Sequence, residues 1–248
     1  AGYQAALQQM FPRIAPGKLT ALCVSEANGS HPKAIETTLT NNQVSGLKTY
    51  LTAGSDVEEL LVLCKSEEIV GGRPLLKLVH LSAEQDQLEI ENFELAFMKE
   101  IKHGKLKLNE VAVKAGQILA GDGFQQYSKP FRTLEDICVG AAYQAMLLRQ
   151  AMEHEWEEGI RDRLAFQLFS LGNLLKLVPS DAETHLLLAV CEKNFEVLLG
   201  EIEPLIASAS SPGFREDWEQ NKRLISMAKK VKEIRLEKAR RGLFSSSI

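Results

Sequence analysis

The sequence predicts an α+β chain in two parts, a β-barrel-like domain followed by an up-and-down α-helical bundle. Three observations carry that prediction. Up to about residue 130, short β-type runs alternate with Gly, Pro and Asn. Beyond that point apolar residues recur at helical spacing. With 45% hydrophobic and 25% charged residues, the composition is that of a globular protein, and 248 residues suffice for two domains of ordinary size.

The elements follow in order. Residues 1–12 read as a short helix, 13–125 as the β-domain and 126–248 as a four-helix domain. The predicted strands are Leu19–Ser25, Ile35–Thr40, Gln43–Leu51, Glu59–Lys65, Leu75–His80, Leu88–Ile90 and Leu106–Val113. Asn41-Asn42 separates the second and third, and Asn tolerates positive φ, so the pair reads as a hairpin turn. Several short strands at this spacing suggest a sandwich or barrel. Leu134–His154 and Arg161–Leu177 read as helices, the latter with Leu164, Leu168, Leu171 and Leu175 on one stripe. Ser180 with Glu183 makes a capping box for a helix running to Ala207. Ser208–Gly213 is a small-residue linker, Arg215–Arg241 a last helix, and Ser245 to Ser247 a frayed tail.

Charge and motif content narrow the partners. A net charge of −4 gives no global reason for a nucleic acid or an anionic membrane. No apolar run reaches the roughly 18 residues of a membrane span. The segment Ala1–Phe11 lacks the basic and apolar regions of a secretory signal. Cys23, Cys64, Cys138 and Cys191 form no CxxC pair, which argues against zinc and for buried free thiols in a reducing cytoplasm. The histidines at 31, 80, 103, 154 and 185 include no helical i, i+4 pair, so no metal site is expected. Gly121-Asp122-Gly123 is a turn, without the GK[ST] of a phosphate loop.

Ala21 to Ser66 carries a resemblance. Val24-Ser25-Glu26, Gly29-Ser30-His31, Ser45-Gly46-Leu47-Lys48 and Tyr50-Leu51-Thr52 stand in the order and spacing of a known set of blocks. These are the Thr-Glu-Pro strand end, the Gly-Ser-Asp turn, the Asn-Gly-x-Lys strand and the aromatic-Ile-Thr-Asn segment of acyl-CoA dehydrogenases. The run from His103-Gly104-Lys105-Leu106 to Gly121-Asp122-Gly123 is similar to that family's late strand and exit loop. Phe131 onward resembles its first C-terminal helix, and Trp218 to Ala239 its last. The resemblance implies the family's middle β-domain and helical C-terminal domain, with only Tyr3–Phe11 in place of the N-terminal helical domain.

The implied function is oxidation of an acyl-CoA or similar thioester, with FAD as cofactor, in a homo-oligomer. The positions matching the family's flavin contacts are Ser25, Ser30, Tyr50 and Thr52. Donors near the ring's N1 edge would stabilise the charge of the reduced form. The matching base is Glu135, in Leu134-Glu135-Asp136, where a minority of the family carries Leu-Glu-Arg. Ordinary chemistry also accounts for these residues. Ser, Thr and Tyr at strand ends serve turns and β-propensity, and a carboxylate in a first helical turn opposes the helix dipole.

Departures from the family open a second reading, a non-catalytic binding or assembly protein. The turn after Glu26 lacks Pro and is one residue shorter, and His31 replaces Asp. Neither a Gly-Gly-x-Gly-Tyr nor an Arg-x-x-Phe-Gly segment is present. The last helix is basic, and its cations read as a solvated face rather than an anion site. Leu224, Ala228 and Val231 are expected to dock it.

Overall fold

A computed structural model describes residues 1–208, 210–226 and 229–244. The chain divides into two compact units, residues 7–132 and residues 1–6 with 133–248. The Ser245–Ser247 tail and Ala228 lie outside the described residues.

A short helix, α1 (Gly2–Met10), precedes seven strands: β1 (Thr20–Cys23), β2 (Thr38–Thr40), β3 (Gln43–Thr52), β4 (Glu59–Val70), β5 (Arg73–Ser82), β6 (Leu88–Phe93) and β7 (His103–Ala112). They form one mixed sheet in the order β1-β4-β2-β3-β7-β6, with β5 on the other edge of β4. β1 and β2 both pair parallel to β4, Thr20 opposite Glu59 and Thr38 opposite Lys65. Side chains from every strand enter one core, among them Cys23, Leu39, Leu51, Val62, Val79 and Leu106, with Ile90 packed against it. That shared core gives the sheet its barrel-like character. β4 is buried on both faces from Leu60 to Cys64, which is why that stretch reads as a continuous apolar run.

The turns follow their sequences. Asn41 and Asn42 have φ of 51° and 56°, the left-handed pair of a two-residue hairpin. β4 and β5 extend past the predicted strands to a second such turn at Gly71-Gly72, where Val70 pairs with Arg73. The added residues Ser66 to Glu68 are polar, so hydropathy alone ends the strand early. Gly123 opens a π-turn (Gly123–Ser128), and a Cβ there would sit 2.6 Å from the Leu78 amide nitrogen. Asp122 caps that turn by accepting from the Phe124 and Gln125 amides.

The second unit contains α2 (Lys129–Glu153, mostly within it), α3 (Glu158–Leu174), α4 (Ala182–Ser208), α5 (Pro212–Asn221) and α6 (Lys229–Phe244). α4 begins at Ala182, one residue later than a Ser180 cap implies. The Asp181 carbonyl accepts from the His185 amide, so Asp181 rather than Ser180 holds the cap position. Ser211 and Pro212 start α5, the Ser211 hydroxyl accepting from the Phe214 amide. The last predicted helix is two helices, separated by a 3-10 turn (Lys222–Ser226). No Gly or Pro marks the break. The Asn221 carbonyl instead accepts from the Tyr143 hydroxyl at 3.2 Å, and Trp218 is buried against Tyr143 and Phe214.

Candidate functional site

The loop after β1 is organised by one inward-turned carboxylate. Glu26 and Gly29 exchange backbone hydrogen bonds of 3.0 and 2.9 Å, closing a tight turn without the family's Pro. The Glu26 side chain then points into the sheet, only 5% exposed, and meets Lys48 of β3, which is 0% exposed. Lys48 Nζ donates to Glu26 Oε1 and to the Leu63 carbonyl, both at 2.6 Å. Thr37 donates to the same Glu26 oxygen through its hydroxyl at 2.7 Å and its amide at 3.2 Å, and the Glu36 amide donates to Oε2. Burial pushes the Glu26 carboxyl up, but the hydrogen bonds from Lys48, Thr37 and Glu36 and the Lys48 charge outweigh it. The net effect holds it below the usual carboxylate range. Gly46 makes room for this network, since a Cβ there would fall 2.5 Å from Thr37 Oγ1.

This pair holds two of the quoted segments side by side. The Ser25 carbonyl, adjacent to Glu26, accepts from the Thr49 amide at 2.9 Å, adjacent to Lys48. Ser25 is half-buried just past the end of β1. On β3, an irregularity between Lys48 and Leu51 lets both face the core, and leaves Tyr50 and Thr52 on the opposite side. Tyr50 is 37% exposed, and Thr52 pairs with His103 of β7. The Tyr50 ring lies 5.2 Å from His103 and 6.1 Å from Phe93 of β6, centroid to centroid. His103 is buried, and its Nδ1 has no hydrogen-bond partner among the described residues. Burial pushes its pKa down, only partly offset by the Ile101 carbonyl, so the ring is neutral at neutral pH.

Ser30 and His31 are committed to local structure. Ser30 Oγ accepts from the Arg132 guanidinium at 2.9 Å. The His31 ring accepts from the Lys33 amide and caps a 3-10 turn, Pro32–Ala34. Histidine therefore takes an N-cap position that Asp more commonly fills.

Glu135 belongs to the helical unit, where it is half-buried on α2. The expectation that it sits in a first helical turn is corrected. α2 begins at Lys129, directly after the π-turn, so Glu135 lies past the first turn and beyond most of the helix-dipole field. Its neighbour Asp136, standing where the family motif has Arg, pairs with Arg235 of α6 at 2.5 Å and Lys232 at 3.6 Å. Lys232 also reaches Glu192 of α4 at 2.6 Å. Arg235 donates to the Thr133 hydroxyl, which lies 3.2 Å from His185 Nε2.

That cluster overturns the expected docking of the last helix. Val231 is 52% and Ile234 59% exposed, whereas Lys232, Arg235 and Ala239 turn inward. The carboxylates of Asp136 and Glu192 select the charged face. The stems of Lys and Arg supply the apolar contact that a Val stripe would otherwise give. The four cysteines are free, with Cys23, Cys64 and Cys138 buried.

Sequence reasoning quoted Glu26 and Lys48 without recognising their pairing, and missed Arg132, Phe93 and the burial of His103. The pairing had one signal, an acid and a base each set among apolar strand residues, Val24 on one side and Leu47 and Leu51 on the other.

No protein-family model matches the sequence, and no curated protein is similar to it by sequence. Solved structures are similar in fold. A butyryl-CoA dehydrogenase from Megasphaera elsdenii superposes with a TM-score of 0.60 at 14% identity, over 90% of this chain and 68% of that one. FkbI, from biosynthesis of the methoxymalonyl extender unit of a polyketide immunosuppressant, gives 0.65 at 18%, over 98% and 79%. A glutaryl-CoA dehydrogenase from Mycobacterium smegmatis gives 0.54 at 12%, over 91% and 66%. The chain thus has an acyl-CoA dehydrogenase-like fold, a mixed sheet followed by a helical bundle.

Proposed function

We propose that the protein is a flavoprotein of acyl-CoA dehydrogenase type that oxidises an acyl-CoA thioester. One observation carries the reading. The two segments matching the family's flavin contacts, Ser25 and Tyr50 to Thr52, are held together by the Thr49–Ser25 hydrogen bond and the buried Glu26–Lys48 pair. The residues suit a flavin. Ser25 and Thr52 are half-buried hydroxyls able to face a polar ring edge, and Tyr50 offers a partly exposed aromatic face. When bound, FAD supplies a two-electron acceptor for hydride. Tyr50 would cover the ring, Ser25 and Thr52 would orient its edge, and Glu135 would accept the proton α to the thioester carbonyl.

A second reading, a scaffold without catalysis, is favoured by Ser30, whose hydroxyl oxygen accepts from Arg132 and is thereby tied to the protein's own structure. A visible absorption spectrum after incubation with FAD and desalting separates the two. The flavoprotein reading expects absorbance near one FAD per chain, and Glu135→Gln is expected to keep that absorbance while lowering acyl-CoA turnover by about 10²–10⁴-fold. A chain that stays colourless sinks the dehydrogenase assignment and leaves the scaffold.

A further inference from the structure

The strand that carries Tyr50 and Thr52 ends in a strained turn. β3 stops at Thr52, and Ala53 follows at φ 74° and ψ −11°, in the left-handed region. There the Cβ crowds the backbone, and alanine has no polar side chain to bond locally in return. Among the described residues, Ala53 is the only buried non-glycine residue with positive φ, at 7% exposed. Strain of this kind persists only where neighbours enforce it.

The neighbour here is Asn92 of β6. Its Oδ1 accepts from the Ser55 amide at 2.9 Å, and its Nδ2 donates to the Ser55 hydroxyl at 2.8 Å. Both bonds grip the 3-10 turn Gly54–Asp56 that follows Ala53. Two glycines clear the way for that side chain. A Cβ on Gly54 would collide with Asn92 Oδ1, and one on Gly104 of β7 would lie 3.4 Å from it. Lys102 pairs with Asp56 at the end of the same turn, at 2.5 Å, but both are about half exposed and hold it more weakly. On the other side of Ala53, Thr52 is the last rung of the β3–β7 ladder, opposite His103. A last rung frays when the chain beyond it relaxes, so the conformation of Ala53 governs where the Thr52 side chain stands.

We propose that Asn92 is a positioning residue for the flavin, holding Ala53 in its left-handed turn and thereby fixing the Thr52 hydroxyl. The proposal rests on the flavin reading of Thr52 given above. Asn92 acts through the Ser55 turn, and glycine at position 53 would make its grip unnecessary.

Quenching of FAD fluorescence on titration with the full chain tests it, with far-UV circular dichroism to check that each variant keeps its fold. Asn92→Ala is expected to weaken FAD binding about 10-fold, because a contact whose support is loosened loses its geometry. Asn92→Asp is expected to stay within about 3-fold of the native chain, since a carboxylate accepts from both the Ser55 amide and the Ser55 hydroxyl. Ala53→Gly alone should change the affinity little. In the Asn92→Ala background it should restore most of what was lost, because the turn no longer needs to be forced. A merely structural role for Asn92 would give independent losses in that cycle, and such additivity overturns the proposal. A native chain that binds FAD while Asn92→Ala binds it equally well overturns the proposal and leaves the flavin reading standing. A native chain that binds no FAD sinks the flavin reading, and the proposal falls with it.

Discussion

The β unit and the helical unit each contain a cluster of opposite charges, set at different depths. Glu26 and Lys48 are 5% and 0% exposed, and Lys48 bonds only to the Glu26 carboxylate and the Leu63 carbonyl among the described residues. Asp136, Arg235, Lys232 and Glu192 are 22%, 17%, 24% and 29% exposed, at the seam between α2, α4 and α6. The chemistry is the same and the energetics differ. The deep pair gains little net stability over an apolar pair, but its loss strands a charge in a low dielectric. The seam cluster is partly solvated, so each member can be removed at modest cost and salt screens what remains. The deep pair sets the position of a loop, and the seam cluster decides which face of a helix is turned inward.

The contrast can be broken experimentally, because both tryptophans, Trp156 and Trp218, lie in the helical unit. The largest effect is expected for Lys48→Met, which leaves Glu26 uncompensated and should cost about 3–5 kcal/mol. In urea, far-UV circular dichroism should then change before tryptophan emission does. Coincident transitions would show the two units unfolding as one. Lys48→Met with Glu26→Leu should recover much of the loss, since it leaves no buried charge.

Acid should act next. The folded Glu26 carboxyl is held below its ordinary 4.5, so its contribution is fully present above that value. It is lost as pH falls through the lower, folded value. The circular dichroism midpoint in urea should fall across this window in the native chain, and Lys48→Met should show a weaker fall there. Asp136→Asn is expected to cost only about 1–2 kcal/mol by tryptophan emission, and less in roughly 1 M salt. An equal loss at high salt would mean that the seam is as dry as the β core. The smallest effect is chemical. Burial pushes the Cys23 and Cys64 thiols up to about 12, so a disulfide reagent should reach half-buried Cys191 well before either.

Much of the fold was legible. All seven strands and the Asn41-Asn42 turn follow from short β-type apolar runs and from residues that tolerate positive φ. The end of α5 was not, because the Tyr143 hydroxyl that meets the Asn221 carbonyl there is distant in sequence from it. The placement of Val231 failed for a related reason. Helical periodicity identifies an apolar stripe, but Asp136 and Glu192 on other helices decided which stripe faced inward. At the candidate site, residue types and order pointed to Ser25, Ser30, Tyr50, Thr52 and Glu135. The hydrogen bond of Ser30 with Arg132 and the tilted ring contact of Tyr50 with His103 depend on side chains far away in the chain.

By itself the sequence determined what local physics can determine: where most strands and helices form, where the chain turns, and that three of the four thiols are buried, Cys191 being half-buried instead. Only the tertiary structure decided which charges meet. Ion pairs such as Glu26–Lys48 join residues 22 positions apart, and Asp136–Arg235 joins residues 99 apart. No local pattern encodes such pairings, because they arise when the packed core excludes water and leaves each buried charge only the partner that the fold brings to it.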